Sequence, residues 1–363
     1  MNRCFVFRSL PLSADSRISR YEKIFPNNIL KYCTWESYRL SDDSFPFKKS
    51  GSKFSRVFKY VLFLFWIPFV VIFKTKRDDI CIFMDLETVL FGGVVARLFN
   101  RTYIFDVVDP FAQTKVSNSY LKNLANRIEY QIANRCENLI VPHQCRIDYY
   151  KEQIGKDITN RYLILENVPA FKSIKHRIPV RSDVGDVISI GYFGTLDFNS
   201  RGIEYLIRVA ESNSSIRVYI AGQGAMSHYF ESSNLENVVF LGRYSPSDLA
   251  ELYSRVDFTW AYYSYDNPLH KYAAPNKFYE HLCFAKPIIT SEIIPQYRDI
   301  CQMNSGIAVD TDRTQINDFV SSIFDYYRKS DMEKIVGLLK ESWSVHYSNY
   351  YEKKSNEINA FLK

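Results

Sequence analysis

At 363 residues the chain has room for two domains, and 47% hydrophobic against 24% charged residues excludes a disordered protein. Seven scattered cysteines with no Cys-x-x-Cys pair argue against a zinc site or a disulfide framework, and for reduced thiols in the cytoplasm. The net charge of +6 is local: eight basic residues and no acid lie between Ser44 and Arg77, so the rest of the chain is close to neutral.

Met1–Phe7 reads as a short strand, without the long apolar core and small-residue cleavage site of a signal peptide. In the basic segment, Tyr60–Phe73 is an aromatic run bracketed by cations. Its fourteen residues fall short of the roughly 20 needed to span a bilayer, and Pro68 interrupts it. One reading is a buried helix whose lysines snorkel to water. The other is an interfacial element that places Phe63, Phe65 and Trp66 among acyl chains while Arg56 and Lys59 attract anionic lipid. The apolar run between the charges favours lipid over nucleic acid, so the expected place is peripheral, on the inner face of the cell membrane.

Strands near Cys4–Phe7, Ile80–Met84, Tyr103–Phe105 and Leu139–Val141 alternate with helices at about 86–99 and 119–135. In the second helix Leu121, Leu124, Ile128 and Ile132 are expected to face the core. This alternation implies a parallel sheet covered by helices. A polar link at Lys172–Asp186 separates a second half of the same kind. There the strand Val187–Gly194 leads through Thr195 to Arg201-Gly202 and an apolar helical face of Ile203, Leu206, Ile207 and Ala210. Strands at Ile216–Ile220, Val238–Leu241 and Asp257–Tyr262 follow, with Ser245-Pro-Ser-Asp248 as a capping box. A terminal helix is expected over Trp343–Lys363.

The chemistry concentrates in Tyr272–Thr290. Pro275 suits a first helical position, Phe278, Leu282 and Ala285 give an apolar face, and Ile288–Thr290 reads as a core strand. A helix start at the carboxyl end of a sheet holds anions through its N–H groups and dipole. Asn276 opens that helix, Lys277 adds a full charge, and Glu280 can accept hydrogen bonds from ribose hydroxyls. These features together read as a nucleotide site. Gly194, Thr195 and Arg201 read as a second candidate phosphate cradle, or as a βα turn with a surface arginine. Gly222-Gln-Gly224 reads as a tight turn needing positive φ, and Arg243 as a surface residue or a neighbour of the base.

Pro-Asn-Lys-Phe-Tyr-Glu followed by Ala-Lys-Pro-Ile-Ile resembles the donor motif of family 4 retaining glycosyltransferases of the GT-B fold, in a Pro-Asn-Lys subgroup of surface-polysaccharide type. The resemblance implies α/β architecture with two Rossmann-like domains whose parallel sheets face a central cleft. An acceptor domain would occupy 1–170 and a nucleotide-sugar domain 171–342, with a helix at 343–363 crossing back to the first domain. Glu280 and the Gly-x-Gly of 222–224 would border the donor, and Arg201 and Lys277 its diphosphate. Asp109, in Phe105–Pro110, would be the acceptor-side aspartate. Three positions depart from the pattern: Tyr272 stands where the first of two glutamates is usual, Thr195 replaces an arginine, and Val108 replaces a histidine. The implied reaction moves a sugar from a UDP-, GDP- or dTDP-linked donor to a saccharide or lipid-linked acceptor, with no metal and no cofactor. A GT-B nucleotide-sugar epimerase and a catalytically weak binding subunit are the alternatives.

Overall fold

The computed structural model describes residues 2–12, 16–36, 43–170, 187–198, 200–233 and 235–362, so the expected link at 172–186 lies outside the described residues. The chain forms two compact units, Met1–Ala170 with Asn349–Lys363, and Phe171–Ser348.

The first unit is built on six parallel strands: β1 (Arg3–Arg8), β2 (Ile29–Thr34), β3 (Ile80–Met84), β4 (Thr102–Asp106), β5 (Leu139–Val141) and β6 (Tyr162–Ile164). Their order is β2-β1-β3-β4-β5-β6. β1, β3 and β4 are almost wholly buried, as strands covered on both faces must be. The order reverses between β1 and β3, where connecting loops leave in opposite directions and open a crevice at the strand ends. β2 and β6 escape a search for apolar runs. β2 is an edge strand, half covered over its first four residues, and includes Lys31 and Tyr32.

Several helices cover this sheet. α1 (Ser16–Ile24) is fixed to it by Arg17, which donates to both oxygens of Asp106 at 2.8 and 2.7 Å, and by the Tyr21 hydroxyl, 2.8 Å from the same carboxylate. α2 (Lys53–Lys74) has 22 residues, not fourteen, and Pro68 lies inside it without ending it. It begins at Ser52, whose hydroxyl accepts from the Ser55 N–H at 3.3 Å. Among the described residues it is the one helix long and apolar enough to cross a membrane, by length and composition.

Phe63, Ile67, Val70 and Val71 form a buried stripe of α2. Phe63 is fully buried against the rings of Trp35 and Phe45, so it belongs to the core and not to the lipid-facing set expected from sequence. Trp66 is half-buried on Phe45 and Phe63. α3 (Leu86–Leu98) packs closely because of Gly92, where a Cβ would lie 2.2 Å from Phe83 and 2.9 Å from Ile67.

The helix Ser119–Ala133 buries a different face from the expected one. Leu121 and Leu124 are exposed, while Asn126, Glu129, Tyr130 and Ala133 point inward. The polar members are held by partners: the Tyr149 hydroxyl donates to Asn126 at 2.8 Å, and the Phe111 N–H donates to Glu129 at 3.4 Å. At the C-terminus the expected single helix is two, Met332–His346 and Tyr350–Phe361. The latter belongs to the first unit, where the Glu166 N–H donates to the Tyr350 hydroxyl.

The second unit repeats the architecture with β7 (Ile188–Thr195), β8 (Ile216–Gln223), β9 (Val238–Phe240), β10 (Phe258–Ala261), β11 (Ile288–Thr290) and β12 (Gly306–Ala308). They pair in parallel in the order β12-β11-β10-β7-β8-β9, with reversal at β7. Ile190, Val218, Ile220, Phe258 and Trp260 from the sheet meet Ile203, Leu206, Ile207 and Ala210 of the helix Ile203–Ser212, the face expected from its periodicity. The capping box at Ser245 is present, its N–H donating to Asp248 at 2.7 Å.

Candidate active site

In the second unit the C-terminal end of β7 lies at the switch point, and two cations from different elements are placed around it. Lys277 sits in the first turn of the helix Asn276–Phe284, with its ammonium 4.9 Å from the centre of the Tyr192 ring. Arg201 precedes the helix Ile203–Ser212; its guanidinium carbon is 4.5 Å from the Tyr263 ring centre, and its carbonyl accepts from Trp260 Nε1 at 2.7 Å. Arg201 Nη1 is shut off from solvent and has no hydrogen-bond partner. Among the described residues neither cation has a carboxylate within 4.0 Å. Burial pulls Lys277 down to about 8, with Glu280 opposing the shift and Arg201 adding to it.

Gly194 is small for a specific reason: a Cβ there would sit 2.6 Å from Lys277 Nζ. Gly194→Ala should therefore displace the ammonium while leaving the backbone in place, because the atom met is the tip of a flexible side chain. The expected result is nucleotide affinity lowered about tenfold with Tm nearly unchanged, measured by calorimetric titration and thermal melting. Gly222 answers a backbone requirement instead. At φ 153° its Cβ would lie 1.8 Å from the Gly194 carbonyl oxygen, and at Gly224 a Cβ would lie 2.3 Å from that of Leu196. These glycines let β7 and β8 close at their carboxyl ends.

Glu280 follows Lys277 on the same face of its helix and is buried, its Oε2 accepting from the Tyr253 hydroxyl at 2.9 Å. Tyr253 is stacked on Phe284, which fixes that donor. Pro275 caps the helix and Asn276 opens it, a one-residue shift from the expected first-turn proline. Tyr272, at the position of the absent glutamate, is buried in a 3-10 turn with the Lys271 ammonium 4.8 Å from its ring centre. Thr195 and Arg243 are exposed. Tyr244 is half-buried, and burial, with the nearby charge of Glu280, raises its pKa.

In the first unit Asp109 is exposed on the loop after β4. Its carboxylate is 3.4 Å from Arg146 Nη2, and its N–H points at Asp85 Oδ1, 3.5 Å away. A set of buried groups stands behind it that sequence patterns do not single out. Arg8, ending β1, donates to Asp85, which follows β3 at the switch point with a left-handed φ of 69°. Ser9 donates to Glu87 at 2.7 Å, and Lys115 lies 3.5 Å from the same carboxylate. Burial pushes Asp85 up despite Arg8, and pushes Glu129 up to about 8, with the charge of Asp85 adding to it. Asp106, bound on both oxygens by Arg17, positions α1 and is no part of an open site.

Residues 188–329 match the family described as Glycosyl transferases group 1. A search of curated protein sequences gave no match. Among solved structures, sucrose-phosphate synthase from Thermosynechococcus elongatus is similar at TM-score 0.68 and 11% identity, covering 99% of this chain and 98% of that one. The E. coli structure titled trehalose-6-phosphate bound with UDP-2-fluoro glucose gives TM-score 0.67 and 11% identity, covering 99% of both chains. Anabaena HepE in complex with UDP and glucose gives 0.66 and 12%, covering 100% of this chain and 99% of that one. The two six-stranded parallel sheets with alternating helices are thus the GT-B architecture. Residues 188–329 are thus a glycosyl transferases group 1 domain, carried on a scaffold of GT-B architecture.

Proposed function

We propose that the protein transfers a sugar, with retention at the anomeric carbon, from a nucleoside diphosphate donor to a hydroxyl of a lipid-linked saccharide in surface-polysaccharide synthesis. It works as a peripheral protein on the cytoplasmic face of an anionic membrane. The observation that carries the donor half is the pair Lys277 and Arg201, two half-buried cations, one with an orphaned Nη1, that have no carboxylate partner among the described residues. Such a pair is costly until an anion completes it, and a diphosphate brings the matching charge. As the bond from the anomeric carbon to the diphosphate breaks, charge develops on the leaving oxygen. Lys277, Arg201 and the helix start at Pro275–Asn276 stabilise it there without a metal.

Glu280, braced by Tyr253, accepts from the ribose hydroxyls. Gly194, Thr195, Gly222 and Gly224 leave room for the donor, with Arg243 and Tyr272 at its margin. UDP in two of the similar structures supports a uridine donor. The first unit presents the acceptor, with Asp109 orienting its hydroxyl and taking its proton. The support for a lipid acceptor is α2, which carries exposed aromatics between cationic ends.

The lowered pKa of Lys277 sets the pH dependence of binding. Below about 8 the ammonium is charged in the free protein, and the anion binds without proton uptake. Above it, binding must recruit a proton, so affinity for UDP is expected to fall by up to about tenfold per pH unit. Titrations from neutral to alkaline pH check this. A flat profile would mean that Lys277 is not at the diphosphate. A thermal-shift panel of UDP, GDP and dTDP identifies the base, since ligand at a hundred times Kd adds about 2.7 kcal/mol of stability.

A further inference from the structure

We infer that α2 and α3 together form a two-helix platform that lies flat on an anionic bilayer, inserting a row of side chains from each helix. The inference rests on the membrane reading above and adds the second helix and the orientation. One stripe of α2 is locked into the unit's core through Phe63, Ile67, Val70 and Val71. The opposite stripe, Phe54, Phe58, Val61, Phe65, Phe69 and Phe73, faces solvent, with Phe65 65% and Phe73 69% exposed. α3 continues this surface. Phe65 meets Phe91 edge-on with ring centres 5.6 Å apart, and beyond that seam Leu90, Val94 and Leu98 point outward, Val94 62% and Leu98 72% exposed. Two adjacent helices with outward apolar rows are far more than the scattered single hydrophobics normal on a soluble surface.

Charge identifies the occupant. α2 has no acidic residue; its first turns carry Lys53, Arg56 and Lys59, its end carries Lys74, and Lys76 and Arg77 follow it. α3 adds Arg97, and its one acid, Glu87, is buried. A rim of cations around an apolar face matches acyl chains beneath anionic phosphates. A second copy of the same face would bring like charges together. At roughly 33 Å the helix is long enough to cross a bilayer. Crossing would tear the buried stripe from the core, so the helix lies in the plane.

The test uses the full chain with phosphatidylcholine vesicles, with and without phosphatidylglycerol, in co-sedimentation at low salt. Wild type should bind only the anionic vesicles and be released by alkaline carbonate. Val94→Glu and Leu98→Glu on α3 should weaken binding about tenfold or more, and so should Phe65→Glu on α2, with UDP binding unchanged as proof of folding. Release by Phe65→Glu but not by the α3 variants would overturn the platform and leave the α2 reading standing. Failure of wild type to bind would remove both. Retention through carbonate would overturn the flat orientation, and concentration-dependent self-association abolished by the same variants would make the face a protein interface.

Discussion

Lys277→Ala is expected to lower kcat/KM by about 10²–10³-fold, the loss typical of one preorganised group at a site of developing charge. Its half-buried ammonium sits over Tyr192 near the end of β7, and among the described residues it makes no ion pair that alanine would break. Removing a half-buried cation that has no carboxylate partner among the described residues should leave Tm nearly unchanged. That combination, large kinetic loss without destabilisation, separates a ligand-binding lysine from a structural one. Circular dichroism and thermal melting check the fold, and initial rates check the chemistry. A variant that unfolds at lower temperature and keeps kcat/KM would show the lysine to be a packing residue.

Asp109→Asn is expected to lower turnover by about 10²–10⁴-fold with UDP affinity unchanged, the usual worth of general base catalysis. Among the described carboxylates that follow β3 and β4, Asp109 is the exposed one, with Arg146 on one side and Asp85 behind its N–H. Asp85, Glu87 and Glu129 are buried. Their replacement should act on stability and on the placement of Asp109, whereas Asp109→Asn should act on rate alone. Near-normal turnover in Asp109→Asn would assign the acceptor role to the groups behind it. A matching loss of UDP affinity would place Asp109 on the donor.

The proposed donor site is legible in the sequence because its signals are local. Lys277 and Glu280 are neighbours on one helix, and Arg201 follows its strand through a short loop, so spacing alone puts them near one sheet end. The buried polar groups of the first unit are not legible. Asp85 and Glu87 sit inside an apolar strand-to-helix run, and what holds them, Arg8 and Ser9, is more than 75 residues away in sequence. The same cause inverts the face of the helix Ser119–Ala133, where tertiary partners satisfy Asn126 and Glu129 and leave Leu121 and Leu124 outside.

In α2 every position on both faces near Phe63 and Phe65 is apolar. Hydrophobicity cannot tell the residue packed on Trp35 and Phe45 from the one turned to solvent. Edge strand β2 is hidden by its half-covered residues.

The proposed reaction is glycosyl transfer from a nucleoside diphosphate sugar to a lipid-linked acceptor. The most direct measurement incubates the purified protein with radiolabelled UDP-sugars, with and without a membrane extract, and follows label and free UDP together. Label is expected to move into the organic-extractable fraction only when the extract is present, with one UDP released per sugar transferred. Transfer is contradicted if the donor is consumed equally without the extract and gives an isomeric sugar, or if UDP binds tightly and no label moves.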